Sequence, residues 1–331
     1  MSDRFDGILA QDAAVATLRA AITRERLPSA YLFEGPSGVG KQKAALALAQ
    51  EVIGARTPEA ARADVLRRIA SGTHPDVRTF APRAEGDRNI QVDTVREQIL
   101  PFAQFAPFEA KSAFLILPEA DVSFPDNHPE GANALLKTLE ETRPGVHFVL
   151  LAERPDRLLI TIRSRCSKVR FARLPESALG AILETAATDA SARTAAIALA
   201  DGRADRAIEL AQEGAADALL DAAMRIDEIA ARGAPGQLVL LAEELTKNAE
   251  LPRVLEALTM FYRDVAAAAL GADSSTLAFR HREAAIGERA RHVGSQRAAR
   301  ACEHIRALEE RFSQNANTEI ALGRFLFDLG R

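Results

Sequence analysis

An α/β domain built on a parallel sheet, followed by an all-α region, is the fold class this chain predicts, and three observations predict it. Apolar runs of strand length alternate with helical patterns through the first half. A glycine loop joins one such run directly to a helix, and beyond about Phe171 the strand signals stop.

The elements follow in order. Residues 12–25 read as an amphipathic helix, with Ala14, Val15, Leu18 and Ile22 on one face. Tyr31-Leu32-Phe33 is a short strand that runs into Gly35-Pro36-Ser37-Gly38-Val39-Gly40-Lys41-Gln42, and an Ala-rich helix extends from about Lys41 to Ile53. The stretch from Gly54 to Arg88 holds a further helical pattern and then His74-Pro75-Asp76. Val92 to Phe102 reads as helix, Ala113–Leu117 as a buried strand, Asn133 to Glu141 as a helix with Leu135, Leu136 and Leu139 on one face, and His147–Ala152 as another buried strand. Strands separated by helices imply a doubly wound parallel sheet. From Pro175 onward Ala, Leu, Glu and Arg recur at helical period, punctuated by Gly214 and by Gly233-Ala234-Pro235-Gly236. Boundaries near 171 and 216 divide the chain into 1–170, 171–216 and 217–331.

Composition limits the function classes. With 331 residues, 47% hydrophobic and 27% charged, the chain builds ordinary cores and is not disordered. No apolar run approaches the ~18 residues of a membrane helix, and Met1–Asp6 is polar and carries no secretory signal core. Two cysteines, Cys166 and Cys302, fit a reducing cytoplasm and exclude a Cys-rich zinc site. A net charge of −4 disfavours a free-standing nucleic-acid binder, and low aromatic content without Trp disfavours a base-stacking platform.

The glycine loop carries the chemistry. It fits the P-loop pattern at every fixed position but the last. Gly35, Gly38 and Gly40 allow backbone N–H groups to point at phosphate oxygens, and Lys41 would reach the outer phosphates. The last position should be Ser or Thr, whose hydroxyl holds magnesium, and here it is Gln42. The strand Phe114–Leu117 should end in a metal-binding Asp, and here it ends in Pro118. Glu119 and Asp121 follow, with Glu119 where a water-activating base would stand, but such a base has little use without a placed metal. The expectation is a cradle for nucleotide phosphates without a metal site and without intrinsic hydrolysis. Whether ATP or ADP still binds is left open.

Ser164-Arg165-Cys166 is the second candidate. An Arg on such a loop can be supplied in trans to a neighbour's γ-phosphate, where its planar fork suits phosphate geometry. From spacing alone a surface salt bridge is the favoured reading. Cys166 reads as a small buried thiol rather than a nucleophile, and His74 as a residue that positions its loop.

Together these segments resemble the bacterial DNA polymerase III clamp-loader subunits of the AAA+ superfamily. The resemblance rests on Leu27-Pro28-Ser29-Ala30-Tyr31-Leu32-Phe33, on His74-Pro75-Asp76 and on Ile90-Gln91-Val92-Asp93-Thr94-Val95-Arg96. Gly131-Ala132-Asn133-Ala134-Leu135-Leu136-Lys137-Thr138-Leu139-Glu140-Glu141 is its most specific part, joined by Ile162–Cys166 and Asn315-Ala316-Asn317. It implies an AAA+ P-loop domain (1–170), a helical lid (171–216) and a helical collar (217–331) that joins gamma/tau and delta subunits in a hetero-pentamer. That assembly opens a sliding clamp and places it on primed DNA.

The family contains ATPase members and members with a degraded ATP site, and Gln42 and Pro118 point to the second kind. The resemblance also implies that Arg165 completes the ATP site of the next subunit. It puts the sensor-1 position at Ala152 or Glu153, and the sensor-2 arginine at Arg206 within Gly202-Arg203-Ala204-Asp205-Arg206. Residues 51–73 contain no cysteine where the family commonly carries a zinc module, so no zinc is expected, and Ser29 replaces a usual His. The competing readings are an active gamma/tau-like motor or another AAA+ remodeller, then a P-loop kinase, then a DNA-binding module.

Overall fold

The computed structural model describes residues 3–82, 90, 92–124, 130–184, 190–212, 214–313 and 317–330. Gln91, Asn315 and Ala316 of the quoted segments lie outside the described residues. Residues group into two compact units, 1–178 with 203–205, and 179–202 with 206–331.

The first unit is a five-stranded sheet of β1 (Ala30–Glu34), β2 (Val77–Thr79), β3 (Ala113–Leu117), β4 (Val146–Ala152) and β5 (Ser167–Arg170). All pairings are parallel, in the order β2-β3-β4-β1-β5. Successive strand side chains point to opposite faces, and both faces here are apolar. Tyr31, Phe33, Phe114, Ile116, Val149 and Leu151 face one core, shared with α1 (Asp12–Thr23), α2 (Lys41–Ala55) and α3 (Glu59–Ala70). Leu32, Leu115, Leu117, Phe148 and Leu150 face the other, which takes in Val95, Ile99, Leu135 and Leu139. Each such large apolar side chain contributes about 1.5–3 kcal/mol on burial. That two-sided demand is why β1, β3 and β4 read as continuous apolar runs.

The expected helix from Val92 forms in three pieces, Val92–Thr94, a π-helical stretch Val95–Ile99, and Leu100–Gln104. Pro101 has no N–H to offer Glu97, which explains a local change of hydrogen-bond register there. The helix expected from Asn133 to Glu141 forms as Glu130–Glu140, starting three residues earlier and ending one residue sooner. Strands β2 and β5 were not among the predicted elements. Both lie at sheet edges, and of their residues only Val77 and Val169 are buried, so neither shows an apolar run.

His74-Pro75-Asp76 is a loop-building device. Asp76 is buried and its carboxylate accepts N–H groups from Phe108, Glu109 (2.9 Å) and Ala110 (2.8 Å). His74 Nδ1 accepts from the Asp76 N–H at 3.1 Å. Asp76 thereby fixes the turn that leads into β3.

All described secondary structure of the second unit is helical. Gly214 (φ 78°) starts Ala215–Arg232 and Gly233 (φ 65°) ends it, both in the left-handed region that glycine adopts without a Cβ clash. Inside this unit Tyr262 donates to Asp227, and Arg289 pairs with the same carboxylate at 2.6 Å. Asp227 is buried, so the two donors together satisfy a charge that would otherwise be destabilising. Asn317 accepts the Ile320 N–H at 3.1 Å and caps the last helix, Thr318–Leu329. Among the described residues no helix is long and apolar enough to cross a membrane.

Candidate functional site

Strand β1 lies between β4 and β5, where the strand order reverses, and the glycine loop leaves its C-terminal end. In open α/β sheets this is where ligands bind. Gly35, Gly38 and Gly40 all have positive φ, at 148°, 68° and 97°. A Cβ on Gly35 would lie 2.2 Å from the Phe171 carbonyl oxygen, so glycine is required there for close approach. Gly40 immediately precedes α2, which begins at Lys41.

Lys41 turns back onto its own loop. Its Nζ donates to the Gly35 carbonyl at 2.6 Å and to the Pro36 carbonyl. Burial lowers its pKa, and the carboxylates of Glu153, Asp121 and Asp205 oppose that shift.

The positions around a metal are differently used. Gln42 is exposed on the first turn of α2. Pro118 follows β3 and offers no side-chain oxygen. Glu119 is exposed with φ 46°, a left-handed conformation uncommon outside glycine. Asp121 is buried, and its carboxylate accepts the N–H groups of Glu153 (3.2 Å) and Arg154 (2.9 Å), which holds the turn after β4. At the two positions that would hold a nucleotide-bound divalent cation stand an amide and a proline, and the nearby Asp121 carboxylate is already bonded to two backbone groups. Among the described residues no cluster of three or more His, Cys, Asp or Glu side chains could hold a metal ion. Of the two sensor-1 candidates, Ala152 is buried with no polar side-chain atom, whereas Glu153 is half-exposed, 3.9 Å from Arg203.

The loop thus brings Gly35, Gly38, Gly40 and Lys41 together. Arg165 is held by other partners: its Nη1 donates to the Thr161 carbonyl at 2.8 Å and its Nη2 pairs with Glu140. Its side chain keeps 34% of its surface exposed. Beside it, burial pushes the Cys166 thiol up to about 12, so it stays protonated and is a poor nucleophile at neutral pH. Arg206, expected at the phosphates, belongs to the second unit and pairs there with Glu256. What this segment brings to the glycine loop is Asp205, which accepts from Ser37 Oγ at 2.8 Å.

Two residues of the site escaped sequence reading. Asp205 sits beside the chosen arginine, with nothing local to favour either. Gln11 is buried; its amide donates to the Ala172 carbonyl (2.7 Å) and accepts the Ala172 N–H (2.9 Å), bracing the chain beyond β5. Its one sequence signal is a polar residue directly before an amphipathic helix.

A glycine loop between strand and helix, at the reversal point of a parallel sheet and followed by a helical unit, defines a P-loop protein of the AAA+ class. The chain belongs to the DNA polymerase III delta-subunit family: residues 10–175 match the family model described as "DNA polymerase III, delta subunit". It is 35% identical over 173 residues to DNA polymerase III subunit delta' of Bacillus subtilis (strain 168), covering 51% of this chain and 50% of that protein. It is 36% identical over 141 residues to subunit delta' of Pseudomonas aeruginosa, covering 41% of each. The gamma/tau subunit of Mycobacterium tuberculosis (strain H37Rv) is 31% identical over 188 residues, covering 54% of this chain and 30% of that one. The match therefore spans half or less of the length of these curated relatives. Among solved structures, a gamma subunit-related protein of Thermotoga maritima aligns over 97% of this chain and 100% of its own, with a TM-score of 0.47 and 17% identity.

Proposed function

We propose that the chain is a delta'-type subunit of a bacterial clamp loader that does not itself hydrolyse ATP and that lends Arg165 to the ATP site of a neighbouring gamma/tau subunit. On this reading it joins gamma/tau and delta subunits in a cytoplasmic hetero-pentamer that loads a sliding clamp onto primed DNA during replication. Residues 171–216 serve as the lid and 217–331 as the collar through which the subunits associate. Nucleotide is not required by this subunit, and neither zinc nor magnesium is a resident of it.

The observation that carries the reading is a division of labour inside the first unit. The metal-holding positions are Gln42 and Pro118, and the nearby Asp121 carboxylate is committed to backbone N–H groups. Arg165, by contrast, is one-third exposed on a short turn, in an ion pair that a phosphate can replace. A guanidinium delivered in trans stabilises charge on the transferring phosphoryl group and is worth about 10³–10⁵ in rate.

The test is ATP turnover stimulated by clamp and primed DNA in a loader reconstituted with wild-type chain or Arg165→Ala, with the isolated chain as blank. The expected result is a silent blank and a clear loss with Arg165→Ala. Turnover by the isolated chain, or indifference to Arg165→Ala, would replace this reading with an active motor.

A further inference from the structure

The segment Arg203–Asp205, which enters the helix Ala204–Leu210, lies against the glycine loop. The Ala204 N–H donates to the Gly38 carbonyl at 3.1 Å, and Asp205 Oδ2 accepts from Ser37 Oγ at 2.8 Å. The other carboxylate oxygen is pressed so close that a Cβ on Gly38 would meet it at 2.0 Å. Glu153, at the end of β4, adds a further negative charge near Lys41. Arg203 stands between these carboxylates, 3.5 Å from Asp205 and 3.9 Å from Glu153. Lys41 is bonded to the Gly35 and Pro36 carbonyls. The loop's hydroxyl and ammonium groups are therefore both engaged by the protein's own oxygens.

We propose that Asp205 is a built-in anionic latch: its carboxylate holds the glycine loop in a self-bonded state and excludes the di- or triphosphate of a nucleotide. A P-loop attracts phosphate because its backbone N–H groups, helix N-terminus and lysine present positive potential. A fixed carboxylate against Gly38 cancels part of that potential and repels each incoming phosphate charge at short range. Position along the helix Ala204–Leu210 enforces the choice. Consecutive helical residues point about 100° apart, so a helix that turns Asp205 to the loop turns Arg206 elsewhere. The latch does not depend on Arg165 or on any neighbour, because it is complete within one chain.

The experiment is a titration of the full-length chain with a fluorescent ADP analogue, with and without magnesium. Wild type, Asp205→Asn and Asp205→Ala are compared, each also in a Lys41→Ala background. Asn keeps the size and an acceptor for Ser37, so it removes the charge with little change in shape; thermal melts establish that each variant is folded. The expected result is no saturation of wild type below millimolar analogue and a gain of roughly tenfold to a hundredfold in both Asp205 variants, each tenfold being ~1.4 kcal/mol. Lys41→Ala should erase that gain. Micromolar binding by wild type, no gain in either Asp205 variant, or a gain that survives Lys41→Ala would each overturn the latch. None of these outcomes bears on the Arg165 reading, which is tested in the assembled loader.

Discussion

Lys41 and Arg165 are two cations of the same unit held in opposite ways. Lys41 is bonded to two carbonyls of its own loop and lies near three carboxylates. Arg165 is paired with Glu140 at the surface and with one carbonyl. An exposed ion pair contributes about 0–1 kcal/mol, so exchanging Glu140 for a more highly charged phosphate requires little energy. Releasing Lys41 requires breaking bonds in a half-buried, desolvated place. If the proposed function holds, the contrast teaches that a P-loop fold can close its inward-facing site and still present an arginine to another molecule. Retaining the cradle and retaining the chemistry are separate matters.

The largest effect that would break this comparison concerns Arg165. In a reconstituted loader, Arg165→Ala should reduce turnover at the one dependent site by about 10³–10⁵, and Arg165→Lys should recover little of it, because a point charge lacks the planar fork. Single-turnover hydrolysis resolves that site from the others, and full rescue by Lys would reduce Arg165 to a generic positive charge.

Next in size are two changes that test whether the scaffold of the unit that carries both cations is as tightly specified as its geometry implies. Asp76→Ala strands three backbone N–H groups and should lower unfolding free energy by roughly 3 kcal/mol. Gly35→Ala drives a methyl group into the Phe171 carbonyl and should lower it by roughly 2–3 kcal/mol. Urea denaturation of each variant gives these values. An unchanged midpoint for Gly35→Ala would mean that the loop relaxes easily, and the contrast with the Arg165 turn would weaken.

These predictions rest unevenly on what sequence made legible. Strands β1, β3 and β4 were readable because they bury both faces. β2 and β5 were not, because an edge strand needs little apolar surface to pair. The glycine loop was readable from spacing, since each glycine answers a local backbone demand. Asp205 and Gln11 were not, because their bonds reach residues 168 and 161 positions away.

Glu140→Gln offers a smaller and sharper test. If the Glu140 pair merely parks Arg165, stability should change by less than about 0.5 kcal/mol and stimulated turnover by less than about twofold. A loss comparable to Arg165→Ala would make Glu140 part of the shared site.

The smallest expected effect is on pH dependence. His147 Nδ1 donates to the Pro28 carbonyl at 2.8 Å, and burial lowers its pKa below the usual histidine value. His74 is lowered for the same first cause. A base whose pKa falls on folding binds fewer protons in the native state, so stability rises with pH across the affected window. The contribution is fully present above the unfolded value near 6.5 and is lost as pH falls through the lowered native values. Melting temperature should therefore decline from pH 7 toward pH 5, with a shallower slope in His147→Asn. An equal slope would remove His147 as a source.

The sequence by itself determined the strand, glycine loop and helix around Lys41, the absence of metal-holding side chains at positions 42 and 118, and the helical character of the second half. Each of these is written in local pattern or residue chemistry. Tertiary structure decided which residue of Gly202-Arg203-Ala204-Asp205-Arg206 meets the loop. Either Asp205 or Arg206 satisfies the helical pattern equally well, and they carry opposite charge. The selection shows in a hydrogen bond between Ser37 and Asp205, 168 positions apart, which no local pattern in the chain encodes.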